Sequence, residues 1–309
     1  MPRSPLPVRH GLNAAWVGTP REENWATMRD FLVWKIPRLA PERIDEMFAE
    51  ERFVDEKGTV LPLDAPYKHH SFIFFHRDLP DETEPPGELL VLHRDERLVV
   101  LDKPHFTSTI PRGQHIIHSA VVRARRELDL PDLSPAHRLD RATAGILLCT
   151  TRREHRRAYQ MMFEQRVPQK TYEAIGRLRP ELDFPLDLSS HMTKTRGVMQ
   201  AEEVPGRDPN AHTRIELLDR AEHPVHGPIG RYLVKPTTGK THQIRLHMSS
   251  AGIPIVNDLF YPEVLDRSLD DFTLPLQLLA KELRFVDPVD GSERVFTSAR
   301  TLSVWDEAR

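Results

Sequence analysis

The sequence has a single cysteine, Cys149, which excludes an intrachain disulfide; its place in the apolar run Ile146-Leu147-Leu148-Cys149 makes it a core residue rather than a reactive thiol. No stretch approaches the roughly 20 uninterrupted apolar residues of a membrane helix. The opening Met1-Pro2-Arg3-Ser4-Pro5-Leu6-Pro7 lacks the apolar centre of a signal peptide. No membrane partner and a cytoplasmic location are therefore expected. An excess of positive charge is also missing: the net charge of −3 excludes binding of nucleic acid by bulk electrostatics, which needs clustered Lys and Arg. No internal repeat is visible.

What is present is an ordinary folded composition, with 39% hydrophobic and 29% charged residues over 309 positions, enough for one large domain and a small one. The charge is unevenly spread. Residues 1–95 hold 12 Lys/Arg against 17 Asp/Glu, a net of −5, whereas residues 112–177 hold 13 against 7, a net of +6. Residues 1–24 carry Pro, Gly and charge without periodicity and read as a loosely ordered N-terminal arm. Met28, Phe31, Leu32, Ile36 and Leu39, then Ile44, Met47 and Phe48 after Pro41, predict two short helices. Phe53–Val60 and Ser71–Phe75 predict strands, so 25–80 forms a small α+β module. The Pro- and acid-rich stretch 81–88 has no apolar face and reads as a linker. From 89 to 309, the hairpin of 89–92 with 98–101, helices near 118–128 and 154–165, and strand-like runs at 213–218, 231–234 and 282–286 predict a large α+β domain.

The most informative stretch is Pro135-Ala136-His137-Arg138-Leu139-Asp140-Arg141-Ala142-Thr143-Ala144-Gly145-Ile146, with one carboxylate between two guanidinium groups just before a buried strand. Side-chain alternation puts Arg138 and Asp140 on one side and anchors Leu139 on the other. Nearby positive charge favours the carboxylate form that a nucleophile requires. Taken alone, Arg-X-Asp-Arg describes a salt bridge at a strand start. Lys170-Thr171-Tyr172-Glu173-Ala174 could simply be a strand with a core aromatic. Gly239-Lys240-Thr241 echoes the end of a P-loop, but Val234 stands where its first glycine belongs, and His242 and His247 lack the spacing and the glutamate of a zincin.

Together these stretches resemble the RluA-type RNA pseudouridine synthases. The pattern His-Arg-Leu-Asp-Arg-X-Thr-Ser/Ala-Gly covers His137–Gly145, Lys-X-Tyr-X-Ala covers Lys170–Ala174, and Gly-Arg/Lys-Thr/Ser-His-Gln-Ile/Leu-Arg covers Gly239–Arg245. Weaker matches extend to Val99–Pro104 and Gly252–Tyr261. Two departures stand out: His105-Phe106 replaces a small residue plus glycine after Lys-Pro, and Asn257 replaces a glycine.

The resemblance implies a pseudouridine synthase fold with a mixed, largely antiparallel sheet and flanking helices around a central cleft, preceded at 25–80 by an S4-like module. It implies Asp140 as nucleophile, Tyr172 stacked on the target base and Arg245 paired with the aspartate. Arg138, Arg141, Lys103, Lys170, Lys240, His242 and Gln243 become candidate RNA contacts, Arg138 filling the space of an extruded uridine. Arg123, Arg125, Arg126, Arg152, Arg153, Arg156 and Arg157 could hold phosphates. The reaction detaches uracil from C1′ and rejoins it through C5 without redox change, so no cofactor and no metal are expected. Attack on C1′, attack on C6 and a glycal route stay open. The implied partner is structured RNA, 23S rRNA ahead of tRNA, acted on by a monomer. Two other readings remain: a catalytically silent RNA-binding protein on the same fold, and an aspartate-dependent small-molecule hydrolase or isomerase.

Overall fold

The computed structural model describes residues 2, 4–268 and 270–309; Met1 and Arg3 of the expected arm, and Leu269, lie outside them. Two compact units divide the chain, Met1–Asp81 and Glu82–Arg309.

The first unit contains β1 (Ala15–Gly18), α1 (Met28–Lys35), α2 (Pro41–Ala49) and β2 (Phe72–Phe75). Helix α1 starts at a capping box, in which the Thr27 hydroxyl accepts from the Asp30 N–H at 3.1 Å and the Asp30 carboxylate accepts from the Thr27 N–H at 3.2 Å. Proline at the first position of α2 sits where its missing N–H costs nothing. The apolar faces of both helices close over Phe53, Ile73 and Phe75. Two expectations are corrected. Residues 15–18 are not loose arm: β1 pairs antiparallel with β2, from Ala15↔Phe75 to Gly18↔Phe72. The sheet partner of β2 thus comes from upstream of the helices, and Val54 contributes only isolated bridges to Val60 and Phe74.

The stretch 81–88 is no free linker either. The Glu82 carboxylate accepts the backbone N–H groups of Ile116 at 2.7 Å, Ile117 at 2.9 Å and His118 at 3.3 Å, donors that would otherwise lack partners.

The second unit runs β3 (Leu90–Arg94), β4 (Leu98–Lys103), α3 (Ala120–Glu127), β5 (Ser134–Pro135), β6 (Ala144–Thr150), α4 (Arg153–Glu164), β7 (Gln169–Arg177), β8 (Leu186–Ser190), β9 (Met192–Thr193), β10 (Glu202–Glu203), β11 (Ala211–His223), β12 (Gly227–Pro236), α5 (Gln243–Ser250), β13 (Leu278–Val286), β14 (Glu293–Thr297) and α6 (Ser303–Glu307). Ten strands form one sheet in the order β3-β4-β6-β13-β7-β12-β11-β8, with β14 on β13 and β5 on β6. Among the described residues only β6–β13 is parallel in this sheet; its other pairs are antiparallel, giving the expected mixed, largely antiparallel α+β architecture. Strands β4 and β6 are buried along their whole length. Cys149 lies fully inside the cluster beneath α3, where burial pushes its thiol up to about 12.

The register of β13 brings distant residues into one row. Ala280 pairs with Gly145 on β6 and with Tyr172 on β7. At Gly145 φ is +110°, and a Cβ would lie 2.2 Å from the Ala280 carbonyl oxygen, so only glycine lets β6 leave the preceding turn and still join β13.

Candidate active site

Asp140 occupies the turn between β5 and β6. The turn is entered through a bond from the Ala136 N–H to the Leu148 carbonyl at 2.8 Å, and the His137 ring accepts the Leu148 N–H at 3.1 Å. Burial pushes His137 down to about 3, so the neutral ring that this bond requires is the form present. Leu139 is buried and Asp140 retains 32% side-chain exposure, as alternation along the segment predicts.

The second side of the site comes from α5 and the loop after it. All of Gln243 to Met248 is buried, which is why this helix carries no amphipathic signal in the sequence. Arg245 has 3% side-chain exposure. Its Nε and Nη2 donate to the two oxygens of Asp258 at 2.8 and 2.5 Å, while Nη1 faces Asp140 Oδ2 at 3.8 Å. Burial opposes the guanidinium charge, but the Asp258 pair and the Asp140 charge outweigh it and raise its pKa. Phe260 and Tyr261 lie 4.9 and 5.5 Å from the guanidinium carbon, and their backbone N–H groups donate to Asp258. His242 Nε2 lies 3.9 Å from the same Asp140 oxygen. Neither contact to Asp140 is short enough for a hydrogen bond, so its oxygens are left open. The Arg245 guanidinium balances its charge, whereas burial pushes the His242 ring down to about 4 and leaves it neutral near pH 7.

Tyr172, half-buried on β7, has its phenol pKa raised by burial and then by the charge of Asp140. The structure thus brings together Asp140, Tyr172 and Arg245, three residues expected from separate motifs.

The candidate RNA contacts divide. Arg138 and Lys240 are exposed. Arg141 is half-buried, with its guanidinium 5.8 Å from the Phe272 ring centre. Lys103 and Gln243 are corrected. Lys103 is fully buried, and its Nζ donates to the carbonyls of Pro104 at 3.1 Å, Thr107 at 2.8 Å and Arg141 at 3.4 Å. Burial pushes that amine down to about 7. Gln243 accepts from the Thr238 hydroxyl and Lys240 N–H and donates to the His212 carbonyl and Thr213 hydroxyl, leaving nothing for RNA. Lys170 donates to the Thr238 carbonyl at 2.7 Å, tying β7 to the loop before α5.

Among the candidate phosphate ligands, Arg123 is buried beside Glu127, Arg125 donates to the Leu133 carbonyl, and Arg156 is bound to Asp132. Arg126, Arg152, Arg153 and Arg157 are exposed. Asp258, Phe260 and Tyr261 received no role from the sequence, although the matched segment Gly252–Tyr261 contained them.

Four histidines around this region share one behaviour. Burial pushes His105, His242 and His247 down to about 4 and His137 to about 3, against 6.5 when exposed. Between those values and pH 6.5 the unfolded chain binds more protons than the folded one, so stability falls as pH drops through this window. The urea midpoint is expected to be lower at about pH 5 than at about pH 7.5, with proton uptake on unfolding. Equal midpoints would show that these rings do not govern acid stability.

No helix among the described residues is long and apolar enough to cross a membrane. Residues 97–250 match the family model described as RNA pseudouridylate synthase. The "Dual-specificity RNA pseudouridine synthase RluA" of Salmonella typhi is 30% identical over 221 residues, 69% of this chain and 94% of that one. Its namesake from Haemophilus influenzae is 31% identical over 225 residues, covering 70% and 96%. Among solved structures, Human RNA Pseudouridylate Synthase Domain Containing 1 matches with a TM-score of 0.58 at 23% identity, over 71% of this chain and 86% of that one, a likeness of fold.

Proposed function

Given that the chain belongs to the RluA-type RNA pseudouridine synthase family and is an isomerase converting uridine to pseudouridine in RNA, we propose that Asp140 is its nucleophile, acting on uridines of structured 23S rRNA and, second, of tRNA. The observation that carries this reading is the single free edge of Arg245. With Nε and Nη2 spent on Asp258, only Nη1 faces Asp140, across 3.8 Å. A locked cation thus balances a carboxylate whose oxygens stay open to a substrate.

The isomerisation breaks the N1–C1′ bond, turns the uracil, forms C5–C1′, releases the C5 proton to solvent and takes up one proton at N1, with no net gain or loss of atoms. Tyr172 supplies a ring against which the detached base is held, and its coupling to the Asp140 charge agrees with that placement. Arg138, exposed two residues before Asp140, fills the helical space left by the extruded nucleotide. Arg141, Lys240 and the exposed arginines of α3 and α4 contribute phosphate contacts. The enzyme works as a cytoplasmic monomer.

Support for two RNA classes comes from the "Dual-specificity" in the relatives' name. Incubating the protein with unmodified transcripts of 23S rRNA and tRNA, followed by mass spectrometry of nucleosides, is expected to show pseudouridine in the rRNA and, second, in the tRNA. Product in tRNA alone would overturn the rRNA assignment. No product in either, where a working synthase gives it, would leave the silent RNA-binding reading.

A further inference from the structure

The turn that carries Asp140 is held by its backbone, and most of the grip comes from one segment, Lys103 to Thr109. Four consecutive carbonyls each receive a donor: Leu139 from the Thr109 hydroxyl at 2.7 Å, Asp140 from the Thr143 N–H at 3.1 Å, Arg141 from Lys103 Nζ at 3.4 Å, and Ala142 from the His105 ring at 2.7 Å. The Thr109 oxygen also accepts the Leu139 N–H at 3.1 Å, so it brackets both polar groups of that residue. Because a carbonyl can only accept, His105 must carry its proton on Nδ1, and its burial keeps the ring neutral.

The segment is itself anchored. The carbonyls of Ser108 and Thr109 accept from Ala120 and Val121, N–H groups at the start of α3 that have no partner within the helix. Phe106 adopts φ +63°, a conformation that favours glycine, and packs 5.3 Å from Phe272, which lies beside Arg141. His105 and Phe106 are the two positions where this chain departs from the small residue plus glycine of the family pattern. Here a hydrogen-bonding ring reaches the turn.

We propose that His105 and Thr109 are positioning residues, clamping the peptides on either side of Asp140 so that its carboxylate meets the ribose or base in one fixed place. The proposal rests on Asp140 being the nucleophile. Neither residue needs to touch RNA, so removing the clamp slows chemistry and leaves RNA binding in place.

The test compares His105→Ala, His105→Asn, Thr109→Val and Thr109→Ser in tritium release from 5-tritiated 23S rRNA and tRNA transcripts, with thermal midpoints measured alongside. His105→Ala and Thr109→Val are expected to lower kcat by about 10- to 100-fold, the scale of a displacement near 1 Å, with KM for RNA within about twofold. His105→Asn, which places an amide N–H where Nδ1–H stood, and Thr109→Ser are expected to recover to within about threefold of wild type. A purely structural role would move the midpoint with activity and show no rescue at equal midpoint. Wild-type kcat in both His105→Ala and Thr109→Val, or Asn and Ser variants no better than Ala and Val, overturns the clamp. Should His105→Ala not fold, the near-isosteric Thr109 pair decides. If Asp140→Asn stays active, the nucleophile reading falls instead. An inactive Asp140→Asn with fully active clamp variants removes the positioning role alone.

Discussion

Asp140→Asn is expected to slow pseudouridine formation by at least about 10³-fold, the scale on which removal of a single nucleophile acts. The substitution keeps the shape of the side chain and removes its charge. Arg245 keeps its bidentate bond to Asp258, so no buried cation is left alone and the thermal midpoint stays close to wild type. RNA binding is retained or strengthened, because a negative charge near the phosphate backbone is lost. Fold and binding thus serve as controls for the chemical step. Activity within tenfold of wild type would end the assignment of Asp140.

The second large effect comes from Asp258, which never touches substrate in this scheme. Asp258→Ala leaves the buried Arg245 without the partner that holds two of its nitrogens, and breaking a buried pair from one side costs about 3–5 kcal/mol. The backbone N–H groups of Phe260 and Tyr261 lose their acceptor as well. Arg245 can then recover a partner by closing the 3.8 Å gap to Asp140, which occupies the oxygens needed for reaction. A midpoint lower by several degrees, together with kcat reduced beyond what the unfolded fraction explains, is expected from thermal unfolding and single-turnover assays below the midpoint. An unchanged midpoint would contradict the account of the pair. A lowered midpoint with normal kcat would show that Arg245 does not fall onto Asp140.

Much of this arrangement was legible in the chain. Strand β6 and the Leu98–Leu101 part of β4 appear as apolar runs because both faces are covered. Helices α3 and α4 appear within a residue or two of their ends, α4 burying one face through Tyr159 and Met162 and α3 burying all of Ala120 to Ala124. Helix α5 escaped detection because every residue from Gln243 to Met248 is buried and leaves no period to read. In unit Met1–Asp81, β1 was hidden in the expected arm because its partner β2 lies beyond two helices.

The roles of polar residues followed the same division. The sequence by itself determined the family, the three motifs around Asp140, Tyr172 and Arg245, and a mixed α+β fold, since these depend on residue order and local periodicity. Only the tertiary structure decided that Lys103 and Gln243 face carbonyls and hydroxyls inside the protein, that Asp258 locks Arg245, and that Thr109 grips Leu139 from 30 positions away. A lysine or glutamine has the same donors wherever it stands. Burial and the nearest acceptor determine what those donors do, and both are set by how the sheet, helix α5 and the loops at positions 104–109 and 251–261 pack together, which no local stretch of sequence encodes.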